Sequence, residues 1–533
     1  MPLPAAFLPL RHPNFRLLWV ATLFSNMGGW VQNTGAGWLM TSLDDRPAMV
    51  SAVQAASLLP VFLLAAPAGA LADIVDRRRF LITAQLWMTG VALLLCLLAA
   101  LEVVGPWGLL ALTFALGIGT AVNFPAWAAV TPELVPRSDL AQAIVLNGIG
   151  FNLARSVGPA LGGVLIGLAG PQAAFAMNAA CVLVLVGALV AWRRQPERGR
   201  LPNERFWPAV RAGLRFTAAS PVLRGTILRA VVSFFAGAAV WGLLPLLVRR
   251  QLGLGPEAFG LMLAAMGIGA VSAGFVLPRL RARFNSSRLL IAGTAAMGVA
   301  LTALGFSTHW LPAGAAMLIY GGCWIAAAST LTASAQLACP AWVRARAMGV
   351  FQVATFGAMA LGSTLAGLTG AAFGIPATLA GFGLFGAVGA WLLRRLPMEN
   401  PPPVSPAARA AAAAPPVPEA VAPELAAILA AGSGRVLETV HYLVPAPERD
   451  GFLRTMREVR GVRLRAGAVV WRLYEDVAHP ERFMEMWAVE SWGEHLREES
   501  RQTEHDAVVL ARAARLHRGE EAPEARRYLN LEP

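Results

Sequence analysis

Long apolar segments separated by short polar stretches follow one another over residues 16–394 of the 533-residue chain. A helix needs about 20 mainly apolar residues to cross roughly 30 Å of hydrocarbon. Twelve segments are long enough, and we expect each of them to form a membrane-spanning helix. Their approximate bounds are 16–42, 48–72, 79–102, 107–129, 139–168, 172–193, 222–248, 256–278, 287–307, 312–335, 345–369 and 374–394.

A repeat at long range divides these spans into two sets of six. GPALGG at 158–163 is echoed by GSTLAG at 362–367. Internal repeats of this kind are typical of transporters built from two related halves. We therefore expect an all-α polytopic membrane protein with one half at 1–193 and the other at 221–397, joined by a loop at 194–220.

The pattern changes after the last span. Residues 398–433 are rich in Pro and Ala and predict a linker, and residues 434–533 have the mixed composition of a soluble domain. Alternating and helical periodicities predict a strand at 436–444, a helix at 448–459, strands at 468–476 and 482–491, a helix at 491–517 and a strand near 526–531. This order, βαββαβ, predicts a small α+β ferredoxin-like domain.

Arginines mark one side of the predicted membrane. Residues 1–398 carry 27 arginines, of which 22 lie at the N-terminus, in loops after even-numbered spans or near the linkers. The positive-inside rule then places both termini in the cytoplasm of a multi-pass protein of the cell membrane. The basic charge flanks the spans, which makes the lipid bilayer the expected partner and gives no sign of nucleic-acid binding. Residues 204–216, in the connecting loop, predict an interfacial amphipathic helix.

Few residues suggest bond-making chemistry in the spans. The four cysteines show no metal-ligand spacing, and the chain lacks the Gly-rich phosphate loop of ATP-driven pumps. We expect no metal site, no cofactor and no enzymatic activity in this protein.

The segment GALADIVDRRR at 69–79 is a dense charged cluster between two spans, and we expect it to be a short loop. Charge at membrane depth is expensive, so a dense charged cluster held between two spans predicts a functional role. An Asp at a helix end beside arginines could form an ion pair or cap the helix in one conformation and lose that contact in another. The alternative is that the three arginines only enforce topology.

The charged segment, on a chain with twelve spans and two repeated halves, resembles the signature of the major facilitator superfamily between helices 2 and 3. The matching residues are Gly69, Leu71, Ala72, Asp73, Arg77 and Arg78, whereas Asp76 stands where the family has a second Gly. The resemblance implies a transporter of a small-molecule substrate. It also implies that Asp73, Arg77 and Arg78 help to latch the two halves together on the cytoplasmic side.

The fifth span carries a second motif, made of Gly158, Pro159, Gly162 and Gly163. Small residues permit close helix approach, and a proline inside a helix removes a hydrogen bond and bends it. The motif resembles the fifth-helix signature of the superfamily's exporters, with Ala154 in place of the usual first Gly. It therefore favours export, and ordinary close packing is the alternative.

The fourth span departs from the superfamily pattern. Thr113 stands where many proton-coupled members have an Arg, and Arg155 lies instead in the fifth span. A charged residue in mid-span should face the interior or a wet cavity, where Arg155 could bind an anionic group or hold a carboxylate. No acidic residue lies in mid-span, so proton coupling is implied by the resemblance alone.

Polar residues inside the spans are candidates to line a substrate cavity, and interhelical hydrogen bonding is the alternative for each. These candidates are Asn26, Gln32, Asn33, Asn123, Asn147, Asn152, Arg155 and Arg229. Four tryptophans near span ends are expected to be interface anchors instead. They are Trp30, Trp38, Trp107 and Trp310.

The start of the chain, PLRHPNFRLLW at 9–19, and its additional C-terminal domain resemble the branch of transmembrane secretion effectors, which includes siderophore exporters. The tail resembles the dimeric α/β barrels of antibiotic biosynthesis monooxygenases. Residues that carry this likeness are Trp487, Ser491, Trp492 and His495. The resemblance implies a homodimer through the tail or a regulatory contact, and His441, His495 and His505 are candidate ligands or bases.

Three functions remain open from the sequence. The first is an alternating-access exporter of a siderophore-like or other amphipathic compound. The second is a membrane-tethered enzyme or ligand-binding protein that acts through the tail, and the third is an importer or a non-transporting sensor.

Overall fold

The computed structural model describes residues 5–74, 76–136, 139–192, 206–339, 343–398, 435–492, 495, 498, 504–519, 523 and 525–530. Some side chains within those ranges, including those of 65–74, lie outside the description. Two compact units result. The first comprises Met1–Phe206, Gly225–Ala335 and Phe351–Glu399, and the second comprises Trp207–Arg224, Gln336–Val350 and Asn400–Pro533.

Each predicted span corresponds to one long helix. The first six are α1 (Pro13–Leu43), α2 (Pro47–Ile74), α3 (Arg77–Ala100), α4 (Pro106–Leu134), α5 (Leu140–Ala169) and α6 (Pro171–Ala191). After α7 (Phe206–Ala219), the last six are α8 (Pro221–Leu246), α9 (Pro256–Arg283), α10 (Ser286–Gly305), α11 (Trp310–Leu337), α12 (Arg344–Phe373) and α13 (Ile375–Leu392). Several begin at a proline, because the first N–H of a helix has no intrahelical partner and its loss costs little.

Eleven of the described helices are long and apolar enough to cross a membrane, one fewer than the sequence predicts. The exception is α1, which is long enough at 31 residues. Its polar side chains lower its hydropathy below that of the others. They include Ser25, Asn26, Gln32, Asn33 and Thr34.

The charged segment is more helical than predicted. The backbone of α2 continues to Ile74 and α3 begins at Arg77, so the expected loop over 69–79 is wrong for most of its length. Asp76 ends the connection as the N-cap of α3, and its side chain accepts a 2.9 Å hydrogen bond from the Arg79 N–H. A carboxylate satisfies an otherwise unpaired helix donor at this position, which gives Asp76 a local reason to replace glycine.

Within the first unit, close approach of small residues holds the first six spans against the last six. A Cβ added at Gly163 of α5 would lie 2.9 Å from the Gly260 Cα of α9, and one added at Gly260 would lie 2.9 Å from the Gly163 Cα. At Gly242 of α8 an added Cβ would lie 2.9 Å from the Ser51 Cβ of α2. These backbones approach too closely for larger side chains.

The tail has the predicted order of strands and helices. The strands are β1 (Val436–Leu443), β2 (Val470–Glu475), β3 (Arg482–Val489) and β4 (Ala525–Leu529), and the helices are α14 (Arg449–Ala466) and α15 (Glu504–Arg515). All strand pairs are antiparallel, in the order β2-β3-β1-β4. The described part of the predicted helix at 491–517 includes α15, whereas residues 499–503 lie outside the description.

One face of the tail sheet is buried under its helices. Phe483 and Trp487 of β3 pack with Phe452 and Met456 of α14. The alternation of β3 also places a charged residue, Glu485, on this buried face. In the same unit, Arg215 of the amphipathic helix α7 forms an ion pair with Glu490, at 3.0 Å.

Candidate functional site

A cavity of about 390 Å³ lies in the first unit, between the two sets of six spans. Ligand pockets typically measure about 300–1,000 Å³, so its size suits a small molecule. Helices of both sets line it. Its polar and aromatic lining residues are Trp30, Gln32, Asn33, Thr34, Gln54, Ser57, Thr113, Thr120, Phe151, Arg155, Trp241, Phe259, Trp324 and Phe356.

Arg155 is the charged residue among the described lining residues of this cavity. Its exposed fraction is 6%, and its guanidinium carbon lies 5.9 Å from the Trp30 ring centroid and 5.7 Å from that of Trp241. Both distances fall within the range of cation–π attraction. The buried Nε and Nη2 atoms have no hydrogen-bond partner in the described part of the chain. Such an unpaired buried cation is expensive unless a ligand completes it.

Aromatic rings form the wall beside Arg155. The ring centroids of Trp30 and Trp241 are 5.8 Å apart, and those of Trp241 and Trp324 are 6.3 Å apart. Trp324 is held in turn by Tyr320, whose hydroxyl donates a 2.8 Å hydrogen bond to the Gly237 carbonyl. The wall offers apolar, flat surface to a ligand.

Three further polar atoms of lining residues have no hydrogen-bond partner within the described part of the chain. Gln32 uses its Oε1 to accept a 3.1 Å hydrogen bond from Asn178, and its Nε2 has no partner among the described residues. The same holds for the Trp241 Nε1 and the Thr113 Oγ1. Two of these three groups are donors only, so the site favours acceptor groups on a ligand.

Three of the eight predicted cavity residues line the cavity: Gln32, Asn33 and Arg155. The others do not, and most serve hydrogen bonds between or within helices. Asn123 accepts from Gln85, Asn147 donates to Thr131, and Asn152 donates to the Gly148 carbonyl of its own helix. Such pairing satisfies polar groups that lipid cannot.

The two remaining candidates lie away from the lining residues. Asn26 is half-buried in α1. Arg229 donates to the carbonyls of Leu393, Arg394 and Leu396, beyond the end of α13. A cation is favoured at a helix C-terminus, so the observed role of Arg229 is to stabilise a helix end.

Two of the four predicted interface tryptophans are buried or line the cavity instead. Trp30 faces Arg155, and Trp38 stacks on Phe259 with ring centroids 6.0 Å apart. Trp107 and Trp310 are exposed, at 73% and 54%. The signal that could have found Trp30 is the Arg155–Gly158 spacing, which places a cation and a small residue on one helix face.

The motif of α5 packs against both sets of spans. A Cβ added at Gly158 would lie 2.7 Å from the Trp30 Cβ, and one at Gly162 would lie 3.1 Å from the Thr34 Cβ. The Pro159 carbonyl oxygen lies 2.6 Å from the position of a Cβ at Gly260, next to the Gly163 contact. Gly158 thus admits Trp30 to the cavity wall, and Gly163 with Pro159 contacts α9.

In the charged segment, the described arginines bond within the first six spans. Arg77 forms an ion pair of 2.7 Å with Glu133 of α4, and Arg78 donates to the Leu189 and Val190 carbonyls at the end of α6. The side chain of Asp73 and the burial of Gly69 lie outside the description. The segment therefore ties α3 to α4 and α6 in this conformation.

The tail contains a buried polar network around Arg463 of α14. The Arg463 guanidinium lies 3.6 Å from the Trp487 ring centroid and donates to Glu485 at 3.1 Å and Glu498 at 3.2 Å. Glu485 also accepts from Tyr442 and Trp471, each at 3.0 Å. Burial with charge-assisted hydrogen bonds makes this network a structural element of the tail.

Glu498 also accepts a 3.0 Å hydrogen bond from Trp487. Burial raises the pKa of Glu498 to about 7, which the charge of Arg463 opposes and that of Glu438 increases. The pKa of Glu438 is lowered: its burial works against this, but the hydrogen bond and charge of His495 outweigh it. Two neighbouring carboxyls are thus pushed to opposite sides of their ordinary pKa.

Glu438, His495 and Glu498 have ligand atoms within 4.8 Å of one another, close enough to surround a metal ion. Their oxygen and nitrogen atoms are already engaged, since the His495 Nδ1 is 2.8 Å from Glu438 and Glu498 contacts Arg463. A guanidinium beside the cluster opposes a second cation. We interpret it as a hydrogen-bonded network. His441 is exposed, and the side chain of His505 lies outside the description.

The sequence profile of the family described as "Transmembrane secretion effector" matches residues 4–533, from the first helix through the tail. The chain belongs to this family. It is a membrane transporter of the major facilitator superfamily, whose members are transporters and not enzymes.

Curated relatives carry names of siderophore transporters. The "Staphyloferrin A transporter" of Staphylococcus aureus is 24% identical over 286 residues, which cover 52% of this chain and 70% of that protein. The "Enterobactin exporter EntS" of Citrobacter koseri is 27% identical over 355 residues, which cover 63% of this chain and 81% of that protein.

Solved structures confirm the superfamily fold. The occupied, inward-facing bacterial homologue of the human lysosomal transporter Spinster aligns with a TM-score of 0.61 at 15% identity, over 73% of this chain and 97% of that one. A D-xylose–proton symporter aligns with a TM-score of 0.57 at 14% identity, over 72% of this chain and 98% of that one. At this identity the likeness speaks for the fold alone.

Proposed function

We propose that the chain exports a siderophore-like or other amphipathic small molecule across the cytoplasmic membrane by alternating access. The observation that carries the proposal is the cavity between the two sets of spans, with polar and aromatic groups from both. Relatives named for enterobactin and staphyloferrin A suggest the class of molecule. No described lining residue is acidic, so the cavity itself gives no support for proton coupling. We propose proton coupling from membership of the superfamily alone.

The proposed topology has twelve spans, with α1 as the twelfth, in halves at 1–193 and 221–397. The interior polar residues of α1 account for its low hydropathy, because Gln32 and Asn33 line the cavity and need not face lipid. Both termini, the connecting loop at 194–220, the linker at 398–433 and the tail at 434–533 then lie in the cytoplasm. The arginine bias supports this orientation.

Export rather than import is proposed from the α5 motif. Gly158 and Gly163 let α5 pack closely against α1 and α9. Helices packed in this way move as rigid bodies in the proposed cycle. In the proposed cycle, Asp73, Arg77 and Arg78 latch the two halves in one state. In the conformation described here, Arg77 and Arg78 bond to Glu133 and to the Leu189 carbonyl, within the first six spans. We assign these bonds to the other state of the cycle.

Transport into inverted membrane vesicles tests the proposal, with enterobactin and staphyloferrin A as substrates and an imposed proton gradient as the driving force. We expect accumulation with the wild type and its loss in Asp73→Asn and Gly158→Leu. Gly148→Ala is the matched control on α5, because nothing lies within 4 Å of an added Cβ there. Unchanged transport in both test variants would reject the roles given to the two motifs, and accumulation in whole cells instead would indicate import.

For the tail we propose a ferredoxin-like domain of the monooxygenase-like type that pairs two chains. Its βαββαβ order and its strand order support the assignment. The face of the sheet opposite the helices supports pairing, because Met484, Met486 and Tyr474 lie there partly exposed. Met486→Glu in the full-length protein should weaken a dimer seen by light scattering. A monomeric wild type would reject the proposal.

A further inference from the structure

We infer that Arg155 and Trp241 form a binding site for the carboxylate of an aromatic organic acid, so that the transported substrate is an anion. This inference rests on the proposed function and names the chemical class of its substrate. It starts from buried polar atoms that have no hydrogen-bond partner among the described residues and belong to side chains that line the cavity.

The charge of the site is positive. Arg155 stays protonated at any physiological pH and is the charged group among the described residues that line the cavity. Bringing a cation into a membrane interior without a counter-ion is unfavourable, and proteins usually supply a carboxylate beside it. Here the described lining residues supply none, which leaves that role to a substrate.

The unpaired atoms define the shape of the missing group. The Nε and Nη2 of Arg155 form the fork that binds the two oxygens of a carboxylate side by side. The Trp241 Nε1 is a third donor, beside the Tyr320 hydroxyl but without a partner that meets hydrogen-bond geometry in the described structure, on a ring 5.7 Å from the guanidinium carbon. The Gln32 Nε2 is a fourth, on another helix of the same cavity.

The walls define the rest of the ligand. Trp30, Trp241 and Trp324 present flat apolar rings in succession, with centroids 5.8 Å and 6.3 Å apart. Flat rings of this kind stack on aromatic groups of a ligand. An aromatic acid places its carboxylate on Arg155 and its ring against these indoles, and both parts of the cavity are then satisfied.

Binding of two matched probes to the purified full-length protein in neutral-lipid nanodiscs tests the inference. The probes are 2-naphthoate and 2-naphthamide, which share one ring system and differ in charge. Isothermal calorimetry should show about 10- to 100-fold tighter binding of the naphthoate, the range expected for hydrogen bonds to charged groups. Arg155→Gln should remove the preference, and Arg155→Lys should keep part of it.

The control is Arg249→Gln. Arg249 also lies over a tryptophan, 5.9 Å from the Trp38 centroid, but it donates to Thr41 and Ser42 and does not line the cavity. It should keep the full preference for the naphthoate. Equal affinity of the wild type for both probes, binding of neither, or a preference that survives in a folded Arg155→Gln protein overturns the inference.

Transport and binding separate the two claims. Preferential naphthoate binding without transport of any substrate in vesicles would reject the proposed exporter and leave the carboxylate site. Transport that Arg155→Gln does not affect would leave the exporter and reject the site.

Discussion

Two arginines of this chain, Arg155 buried and Arg463 largely buried, lie over tryptophan rings and differ in their hydrogen-bond partners. Arg463 in the tail donates to two glutamates and lies 3.6 Å from one indole. Arg155 in the bundle lies between two indoles and has two unpaired nitrogens in the described structure. The fold pairs one guanidinium with two carboxylates and leaves the other without one among the described residues, which is what a binding site requires and a structural site avoids.

The largest expected effect is at the paired arginine. Arg463→Met leaves Glu485 and Glu498 buried without their cation, and breaking such a pair costs about 3–5 kcal/mol. In the full-length protein, the opening free energy that amide hydrogen exchange reports for β1 and β3 should fall by that amount. Arg449→Met is the control, because its partner Glu475 is a surface residue. Equal effects of the two variants would remove the structural role of the network.

The next largest effect is expected at the crossing of α5 and α9. We expect this crossing, and not Arg155, to stabilise the bundle. Gly163→Ala inserts a methyl group 2.6 Å from the Pro256 carbonyl oxygen and 2.9 Å from the Gly260 Cα. Overpacking of this kind costs about 1–3 kcal/mol, so the unfolding temperature should fall. Gly148→Ala on the same helix meets open space and should leave that temperature unchanged or raise it. A lower unfolding temperature for both would point to the helix and not the crossing.

A smaller effect is the pH dependence of the stability of the tail, which we expect from the polar network around Arg463. The pKa of Glu498 is raised from 4.5 to about 7, so the folded tail favours the protonated form. Its contribution to stability is fully present below pH 4.5 and is lost as pH rises through 7.

Glu498→Gln should therefore flatten the fall in protection of β1 and β3 between pH 5 and about 7.5. The exposed Glu475→Gln should not, since the pKa of Glu475 is lowered by its hydrogen bond with Arg449 and its titration is complete below this range. A fall that persists in Glu498→Gln would mean that another group titrates.

Hydropathy was enough to find the helices, because lipid demands long apolar segments whatever their packing. The third span, predicted at 79–102, is a helix at Arg77–Ala100, and the strands of the tail also lie within a few residues of their predictions. The charged segment was not predictable in the same way. Its polar residues signal a loop, whereas helix α2 carries them to Ile74 and Asp76 caps the next helix.

The site could be predicted only in part, because polarity does not say which neighbour a side chain faces. Arg155 is expensive enough in a membrane to be found from sequence alone. Asn123 and Asn147 are equally polar but are paired across helices. Trp30 resembles an interface anchor until Gly158 brings α1 against α5 and turns it into the cavity wall.

The measurement that tests the central claim most directly is the thermal unfolding of the wild type and Arg155→Met with and without 2-naphthoate. Without ligand, the variant should be as stable as the wild type or slightly more stable, since replacing an uncompensated buried charge by an apolar chain removes its desolvation penalty. Saturating naphthoate should raise the unfolding temperature of the wild type alone, because it binds only that folded protein. A variant destabilised without ligand, as expected for Arg463→Met, or stabilised by naphthoate as much as the wild type would contradict the account.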